Sequence, residues 1–358
     1  MRRLPVYFLI DLSESMIGEP LYQVEEGIAT IVRELRSDPY ALETVWLSII
    51  GFAGKPKRIT PLVDLIQFYP PRLPIGGGTS LGAAIEFLIQ DLNQNLVRNT
   101  PDTRGDWRPI IFLFTDGVPT DDINRAVEEW NKYYRNKAFL VAIAFGEEVD
   151  IRELNRLADQ VLLFKNTDAA AYKQFFKWVT ASIKTTSIGV NEGHRDEFQP
   201  ARVDENILSR AAPDAAQEYK GTVDLQHAVF IARCQQTKKP YLMKYSRGKA
   251  NAQLHQEGLA VPNRLYHLQG AYLVTEQYFE LSDNSSTHKF TVSSAALVGV
   301  PNCPACGNQH GFAMCPCGGI LCHGREEVPV CPWCNSKLII KDSSEDTPGP
   351  HNIIRGRG

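Results

Sequence analysis

The chain has 358 residues, of which 43% are hydrophobic and 22% are charged, and this composition is typical of a folded globular protein with two or three domains. The formal net charge of −3 gives no overall electrostatic reason to expect a nucleic-acid partner. No apolar run approaches the ~20 residues that cross a bilayer, and no signal peptide precedes the first predicted strand, so we expect a cytoplasmic protein with no membrane partner.

Strand and helix signals alternate along residues 1–187, which we predict to form one domain. Continuous apolar strands between helices are typical of a parallel sheet that is covered on both faces. We therefore predict an α/β domain with a doubly wound, mostly parallel, Rossmann-like sheet. Pro61 suggests that its strand lies at an edge of the sheet. Asp121 or Asp122 is expected to cap the helix that begins after these two residues. The predicted strands cover 5–10, 44–52, 58–63, 110–114, 138–145 and 161–164, and the predicted helices include 19–37, 81–92, 150–158 and 172–183.

Three short polar stretches stand where a predicted strand ends or a predicted helix begins. They are residues 11–15 (Asp-Leu-Ser-Glu-Ser), 76–80 (Gly-Gly-Gly-Thr-Ser) and 115–117 (Thr-Asp-Gly). Each stretch by itself is usual in a helix cap or a turn. In an open parallel sheet, however, this rim is where ligands bind, and hydroxyl and carboxylate oxygens suit a hard cation. The sequence therefore predicts a Mg²⁺ or Mn²⁺ site at the rim of the sheet.

In this order, the three stretches resemble the metal-ion-dependent adhesion site (MIDAS) of von Willebrand factor A domains. That site has the pattern D-x-S-x-S, followed downstream by a Thr and then by an Asp, and this chain matches it without departure. The resemblance implies that Ser13, Ser15 and Thr79 contact the ion. It also implies that Asp11 and Asp116 act directly or through water, and that a carboxylate of a partner protein fills the open coordination position.

Beyond the first domain the pattern becomes less regular. We predict a linker over residues 188–222, with room for one short helix, because the hydrophobic periodicity fades into polar residues there. Short β-rich runs and a cluster of cysteines follow, so residues 223–342 are predicted to be a β-rich domain with a zinc-binding module. The polar tail, residues 343–358, is predicted to be disordered.

Seven of the eight cysteines fall between Cys303 and Cys334. In a reducing compartment such clustering indicates metal ligands rather than disulfides. The C-x-x-C pairs at the two ends of this segment are strong signals for thiolate coordination of Zn²⁺, and a site saturated with thiolates is closed and structural. The predicted zinc ligands are Cys303, Cys306, Cys315, Cys317, Cys322, Cys331 and Cys334.

Two arrangements fit this number of ligands. Either one zinc ion takes the four outer cysteines, or two ions share seven cysteines and one histidine, with His323 or His310 as the eighth ligand. The two-ion arrangement is favoured, because three idle thiols would be open to oxidation. Cys234 stands apart in the sequence and is interpreted as an ordinary small apolar residue.

The order of these parts resembles the bacterial TerY family. Residues 239–245, 266–272 and 278–283, which lead into the cysteines, are similar to the C-terminal metal-binding region of that family, TerY-C. The resemblance implies an intracellular protein-binding scaffold in a tellurite- or chemical-stress-resistance or phage-defence system. It further implies that a Ser/Thr kinase and a metal-dependent phosphatase are its partners.

Two other functions compete with the scaffold. An enzyme is disfavoured because the chain lacks H-E-x-x-H, G-x-S-x-G and the kinase motifs, and residues 76–80 lack the lysine of a phosphate-binding loop. We therefore predict a protein without catalytic activity. A zinc ribbon that binds nucleic acid is disfavoured by the acidic net charge and by the lack of a Lys/Arg cluster.

Overall fold

The computed structural model divides the chain into two compact units, Met1–Thr222 and Val223–Gly358. Each unit has its own sheet and its own hydrophobic core. The structure describes residues 2–102, 104–145, 149–164, 169–191, 200–201, 208–210, 227–247, 265–283, 291–323, 330–338 and 352–354.

The described strands of the first unit form one sheet. They are β1 (Leu4–Asp11), β2 (Val45–Phe52), β3 (Pro56–Asp64), β4 (Ile110–Thr115), β5 (Phe139–Phe145), β6 (Gln160–Phe164) and β7 (Leu208–Arg210). Their order is β3-β2-β1-β4-β5-β6-β7, and only β3 and β7, at the two edges, run antiparallel to their neighbours. The predicted mostly parallel sheet is confirmed, and the strand that contains Pro61 lies at an edge.

Helices cover both faces of this sheet, because successive strand residues point to opposite sides. Tyr7 belongs to the core formed with one set of helices, whereas the ring of the next residue, Phe8, stacks on Phe112 on the other face. On that second face α1 (Glu19–Arg36) approaches α6 (Ala169–Asn191) so closely that a Cβ at Gly27 would lie 2.1 Å from the ring of Phe176. Across the described residues, no helix has the length and apolar character that a membrane span requires. The helices are α1 (Glu19–Arg36), α2 (Pro39–Thr44), α3 (Leu81–Asn95), α4 (Asn124–Tyr133), α5 (Ile151–Leu157) and α6 (Ala169–Asn191).

The stretch predicted as a linker, residues 188–222, is partly structured. Helix α6 continues to Asn191, and Leu208–Arg210 pair with β6 as an edge strand. A three-residue edge strand needs a partner rather than a strong hydrophobic pattern, which is why the sequence did not reveal it. Apart from residues 200–201, the rest of the predicted linker lies outside the described residues.

The two neighbouring aspartates at the start of α4 have different roles. Asp122 Oδ1 accepts a hydrogen bond from the N–H of Asn124, the first residue of α4, although the N-cap position itself is held by Ile123. The carboxylate of Asp121 instead accepts from the N–H groups of Gly82 and Ala83 and so caps α3. Asp121 therefore links the loop after β4 to the helix that begins next to residues 76–80.

The described part of the second unit is β-rich, as predicted. Its strands are β8 (His227–Arg233), β9 (Pro240–Arg247), β10 (Tyr266–Leu273), β11 (Thr291–Ser293), β12 (Leu297–Val298), β13 (Ala313–Met314), β14 (Ile320–Leu321) and β15 (Asn352–Ile354), with one short helix, α7 (Gln277–Leu281). The main sheet has the order β12-β10-β9-β8-β14-β13. Within it, β8, β9 and β10 are antiparallel, and β14 joins β8 in parallel.

Strand β15 lies in the tail that was predicted to be disordered. It pairs antiparallel with β11, and Ile353 is only 2% exposed in the core that also contains Val292. For residues 352–354 the prediction was wrong, because burial of an isoleucine against a partner strand stabilises an otherwise polar segment. The other residues of the tail lie outside the described residues.

Candidate metal sites

The first candidate site lies where the strand order of the first sheet reverses. The chain adds β2 and β3 on one side of β1 and later adds β4 on its other side. In an open parallel sheet, the carboxyl ends of two such strands leave a crevice in which ligands bind. Strand β1 ends at Asp11 and β4 ends at Thr115, and the register that pairs Ile10 with Phe114 places these two ends side by side.

Four of the five predicted MIDAS residues are joined by hydrogen bonds at this crevice. The N–H of Ser13 donates to Asp11 Oδ1 at 2.9 Å, and the hydroxyl oxygens of Ser13 and Ser15 lie 2.9 Å apart. The hydroxyl of Ser15 donates to Asp116 Oδ1 at 2.8 Å. Thr115, which was not among the predicted site residues, donates its hydroxyl to Asp11 Oδ2 at 2.7 Å.

The fifth residue, Thr79, is held at the same crevice by its backbone. Its N–H donates to Thr120 Oγ1 at 3.0 Å, and its carbonyl accepts from the N–H of Thr120 at 2.9 Å. Its hydroxyl and the carboxylate of Asp11 both face Gly117, where a Cβ would lie 3.4 Å from Thr79 Oγ1 and 3.8 Å from Asp11 Oδ2. Gly78 has a φ of +95°, which favours glycine and turns the chain into this position. The structure thus brings all five predicted residues together.

The electrostatics of the crevice favour a cation. Asp11 and Ser13 are fully buried, and Ser15 and Thr79 are nearly so. Burial, followed by the negative charge of Asp116, raises the pKa of Asp11 to about 7. A divalent cation between the two carboxylates would remove both penalties, and three hydroxyls with two carboxylates suit Mg²⁺ or Mn²⁺. The residues present therefore fit the expected ion.

The cysteines form two separate groups of four. The core cluster consists of Cys234, Cys303, Cys306 and Cys322, and the knuckle cluster consists of Cys315, Cys317, Cys331 and Cys334. In each group the four sulfur atoms all lie within 4.8 Å of one another. The chain thus presents two sets of four thiols, each of the size that binds one tetrahedral ion.

The spacing of the sulfur atoms matches tetrahedral zinc. Four thiolates at ~2.3 Å from a zinc ion are separated from one another by about 3.8 Å. In the core cluster the Sγ–Sγ distance is 3.8 Å for Cys234–Cys322 and 3.9 Å for Cys306–Cys322. In the knuckle cluster it is 3.7 Å for Cys315–Cys334 and 3.9 Å for Cys317–Cys331. Both clusters therefore fit a zinc ion without rearrangement.

The composition of the core cluster corrects the predicted ligand set. Cys234, which was interpreted as an ordinary apolar residue, supplies the fourth thiol. His323, the predicted eighth ligand, belongs to neither cluster, and neither does His310. The alternative of one ion bound by the four outer cysteines is also wrong, because the two C-x-x-C pairs lie in different clusters. The only sequence signal for Cys234 was its type, as the cysteine that completes two sets of four.

Each cluster contains one thiol that ionises readily. Burial raises the pKa of Cys234, but hydrogen bonds from Thr237 and the backbone of Gln236 outweigh it and lower this pKa to about 7. A hydrogen bond with Ser336 lowers the pKa of Cys334 to about 6. Burial raises the pKa of other cluster thiols, among them Cys303, to about 11 in that case. A bound metal ion is what would keep such buried groups as thiolates.

Comparisons with known families agree with this division. The family model for the von Willebrand factor type A domain matches residues 6–178, and the model for the TerY-C metal binding domain matches residues 224–358. The two matches confirm the predicted resemblance to a TerY-like protein. The chain therefore combines a protein-interaction fold of MIDAS type with a metal-binding domain.

Individual relatives are more distant. Inter-alpha-trypsin inhibitor heavy chain H1 of Sus scrofa is 23% identical over 181 residues, which are 48% of this chain and 20% of that protein. The chain thus spans about a fifth of the length of such relatives. A mussel byssus protein, proximal thread matrix protein 1 with a zinc-occupied MIDAS motif, is 16% identical over 51% of this chain and 48% of its own, with a TM-score of 0.37. A von Willebrand factor type A protein from Catenulispora acidiphila is 12% identical over 78% of this chain and 68% of its own, with a TM-score of 0.38.

Proposed function

Because the chain joins a von Willebrand factor type A domain to a TerY-C metal binding domain, we propose that it is a scaffold that docks partner proteins through a divalent cation. The observation that carries the proposal is the convergence of Asp11, Ser13, Ser15, Thr79 and Asp116 at one crevice of the sheet. The ion is Mg²⁺ or Mn²⁺, since all five side chains offer oxygen. Domains of this type are generally protein-interaction modules, which supports a binding role.

The partner supplies a carboxylate to the open coordination position of the ion. Such a contact forms only when the ion, the protein and the partner are all present, so chelation or loss of a ligand reverses docking. The partners we propose are a Ser/Thr kinase and a metal-dependent phosphatase in a bacterial tellurite- or chemical-stress-resistance or phage-defence system. Support for these particular partners comes from the TerY resemblance alone.

The protein performs no chemistry of its own in this proposal. A thiolate-saturated zinc site has no open position for a reacting water, and the open position of the rim ion is taken by the partner. Two zinc ions in the second unit stabilise its fold, because the cysteine segment has few apolar residues with which to order itself. Phosphatase, nucleotidase and peptidase activities of the purified protein should therefore equal those of the Ser13→Ala/Asp116→Ala variant.

A capture experiment tests the docking proposal. Tagged wild-type protein, the Ser13→Ala/Asp116→Ala variant and an Asp122→Asn control are each incubated with cell extract, once with Mg²⁺ and once with a chelator. Asp122 is a suitable control because it is an exposed carboxylate near the same rim whose hydrogen bonds to Asn124 an asparagine can still accept. We expect one defined set of proteins to be retained by wild type and Asp122→Asn in Mg²⁺ only. Equal retention of that set by the double variant, or in chelator, contradicts the proposal.

A further inference from the structure

The two cysteine clusters differ in their access to solvent. In the core cluster, Cys234, Cys303 and Cys322 are buried among the apolar side chains of the sheet, and Cys306 is partly exposed. In the knuckle cluster two of the four ligands, Cys317 and Cys334, are exposed. The remaining pair, Cys315 and Cys331, is buried in a small satellite core.

This difference matters because oxidation of a thiolate requires that the oxidant reach the sulfur atom. Each exposed sulfur of the knuckle cluster has a buried one close by: Cys334 lies 3.7 Å from Cys315, and Cys317 lies 3.9 Å from Cys331. The two exposed sulfurs are themselves within 4.8 Å of each other. An exposed cysteine with a second cysteine at this distance is the usual arrangement of a redox-sensitive thiol pair.

We propose that the knuckle cluster is an oxidation site, at which peroxides convert a pair of metal-binding thiolates into a disulfide and so release one zinc ion. The core cluster keeps its ion under the same conditions and maintains the sheet. The second unit then has one structural metal site and one that responds to oxidants. This property is independent of the proposed docking function, since it concerns different residues and a different metal.

The chemistry balances with hydrogen peroxide as the oxidant. The thiolate of Cys317 or Cys334 attacks one peroxide oxygen, the O–O bond breaks, and the sulfur becomes a sulfenic acid while the other oxygen leaves as hydroxide. A second thiolate of the cluster then attacks the sulfenic sulfur, the S–O bond breaks, and a disulfide forms. Two thiolates, one peroxide and two protons give one disulfide and two waters. The zinc ion loses two of its four ligands and dissociates.

Loss of the zinc ion from the knuckle cluster would loosen the segment that contains Trp333. Trp333 lies between Cys331 and Cys334, and its Nε1 donates to the carbonyl of Ile320 at 2.7 Å. Its indole ring also lies 4.9 Å from the guanidinium carbon of Arg233 on β8. Trp333 is the one tryptophan among residues 223–358, so its environment reports on the knuckle cluster.

The test uses the full-length protein loaded with zinc. Hydrogen peroxide is added in excess, zinc release is followed with a chromophoric chelator, and the cysteines are mapped by differential alkylation and mass spectrometry. We expect half of the bound zinc to be released at a rate that is at least about tenfold higher than the rate for the other half. The disulfides should be confined to Cys315, Cys317, Cys331 and Cys334. A thiol reductant followed by fresh zinc should restore the original content. The core cluster of the same molecules is the internal control.

A variant of the knuckle cluster separates the effect of thiol exposure from that of metal affinity. Cys317→His/Cys334→His keeps four possible zinc ligands but removes both exposed thiols, so peroxide-driven release should slow by about tenfold. Should this variant not retain its second zinc ion, the cysteine map of the wild type still decides. Release of both ions at one rate, oxidation that begins in the core cluster, or no release in excess peroxide would each overturn the proposal.

Discussion

Cys234 and Cys322 stand at the ends of two neighbouring parallel strands, with their sulfur atoms 3.8 Å apart. The register pairs Leu321, the last residue of β14, with Arg233, the last residue of β8. The residue that follows each strand is a cysteine, so both cysteines leave the sheet at the same end of these strands. The N–H of Gln235 also donates to the sulfur of Cys322 at 3.2 Å. A metal ion in the core cluster would therefore connect the cysteine segment directly to the central strands of the sheet.

Replacement of Cys234 should remove one zinc ion, whereas replacement of the predicted ligand His323 should not. Cys234→Ser leaves the core cluster with three thiols, and the lost coordination, worth on the order of 10 kcal/mol in small zinc modules, should unfold much of the second unit. His323→Ala is the matched variant, because His323 belongs to neither cluster. Elemental analysis should find at least one zinc fewer in Cys234→Ser than in wild type. Loss of zinc from His323→Ala, or full content in Cys234→Ser, would show that the eighth ligand is misassigned.

Substitution of Asp11 should abolish cation binding at the rim. Asp11 contributes a carboxylate that Ser13 and Thr115 already orient, so Asp11→Ala removes both a charge and the centre of this hydrogen-bond network. We expect the affinity for Mg²⁺ to fall by about 100-fold or more in titration calorimetry. The exposed-carboxylate control Asp122→Asn should bind Mg²⁺ like wild type. Equal affinities of Asp11→Ala and wild type would remove Asp11 from the site.

The stability of the metal-free protein should depend on pH through Asp11. Its folded-state pKa, raised to about 7 by burial and by Asp116, exceeds the value of about 3.9 in an unfolded chain. Between these values the folded state holds a proton that the unfolded state has lost, so the free energy of unfolding falls as pH rises from about 4 to 7. Mg²⁺ competes with this proton, and its stabilising effect should grow over the same range.

The measurement is thermal unfolding in chelator and in Mg²⁺ at several pH values, for wild type and for Asp11→Asn. Other groups also titrate, so the informative quantity is the difference between the two proteins at each pH. An asparagine cannot titrate, and the contribution described above should vanish in this variant. A difference that does not change between pH 4 and 7 would mean that Asp11 titrates normally in the fold.

The end of the chain should contribute to the stability of the second unit. Ile353 is 2% exposed and Ile354 is 48% exposed, although both lie in β15. Ile353→Asp buries a charge in the core and should destabilise the unit by about 3 kcal/mol or more, whereas Ile354→Asp should change stability by about 0.5 kcal/mol or less. Hydrogen exchange of β8 and β9 during urea unfolding would measure both. Equal effects of the two substitutions would argue against the pairing of β15 with β11.

Much of the first unit was predictable because its signals are local. Continuous apolar strands and helical periodicity arise from neighbouring residues, and the predicted strand that ends at Phe114 differs from the observed β4 by one residue. The same holds for most of the rim site, since Asp11, Ser13, Ser15 and Asp116 come at or directly after the ends of β1 and β4, and the carboxyl ends of neighbouring parallel strands must meet. Weak elements such as β7 and β15 escaped prediction because three-residue strands are stabilised by a distant partner.

The two-part organisation, the mostly parallel sheet, the five oxygen-bearing residues that meet at its rim and the clustering of thiols all follow from the amino-acid sequence alone. The grouping of the thiols into two sets of four, with Cys234 rather than His323 as the eighth member, emerged only from the three-dimensional arrangement, as did the hydrogen bonds of Thr115 and Asp121 at the rim. Residue types and short spacings specify which atoms are available as ligands. Which of these atoms meet depends on strand order and register, and those are set by packing between segments far apart in the chain.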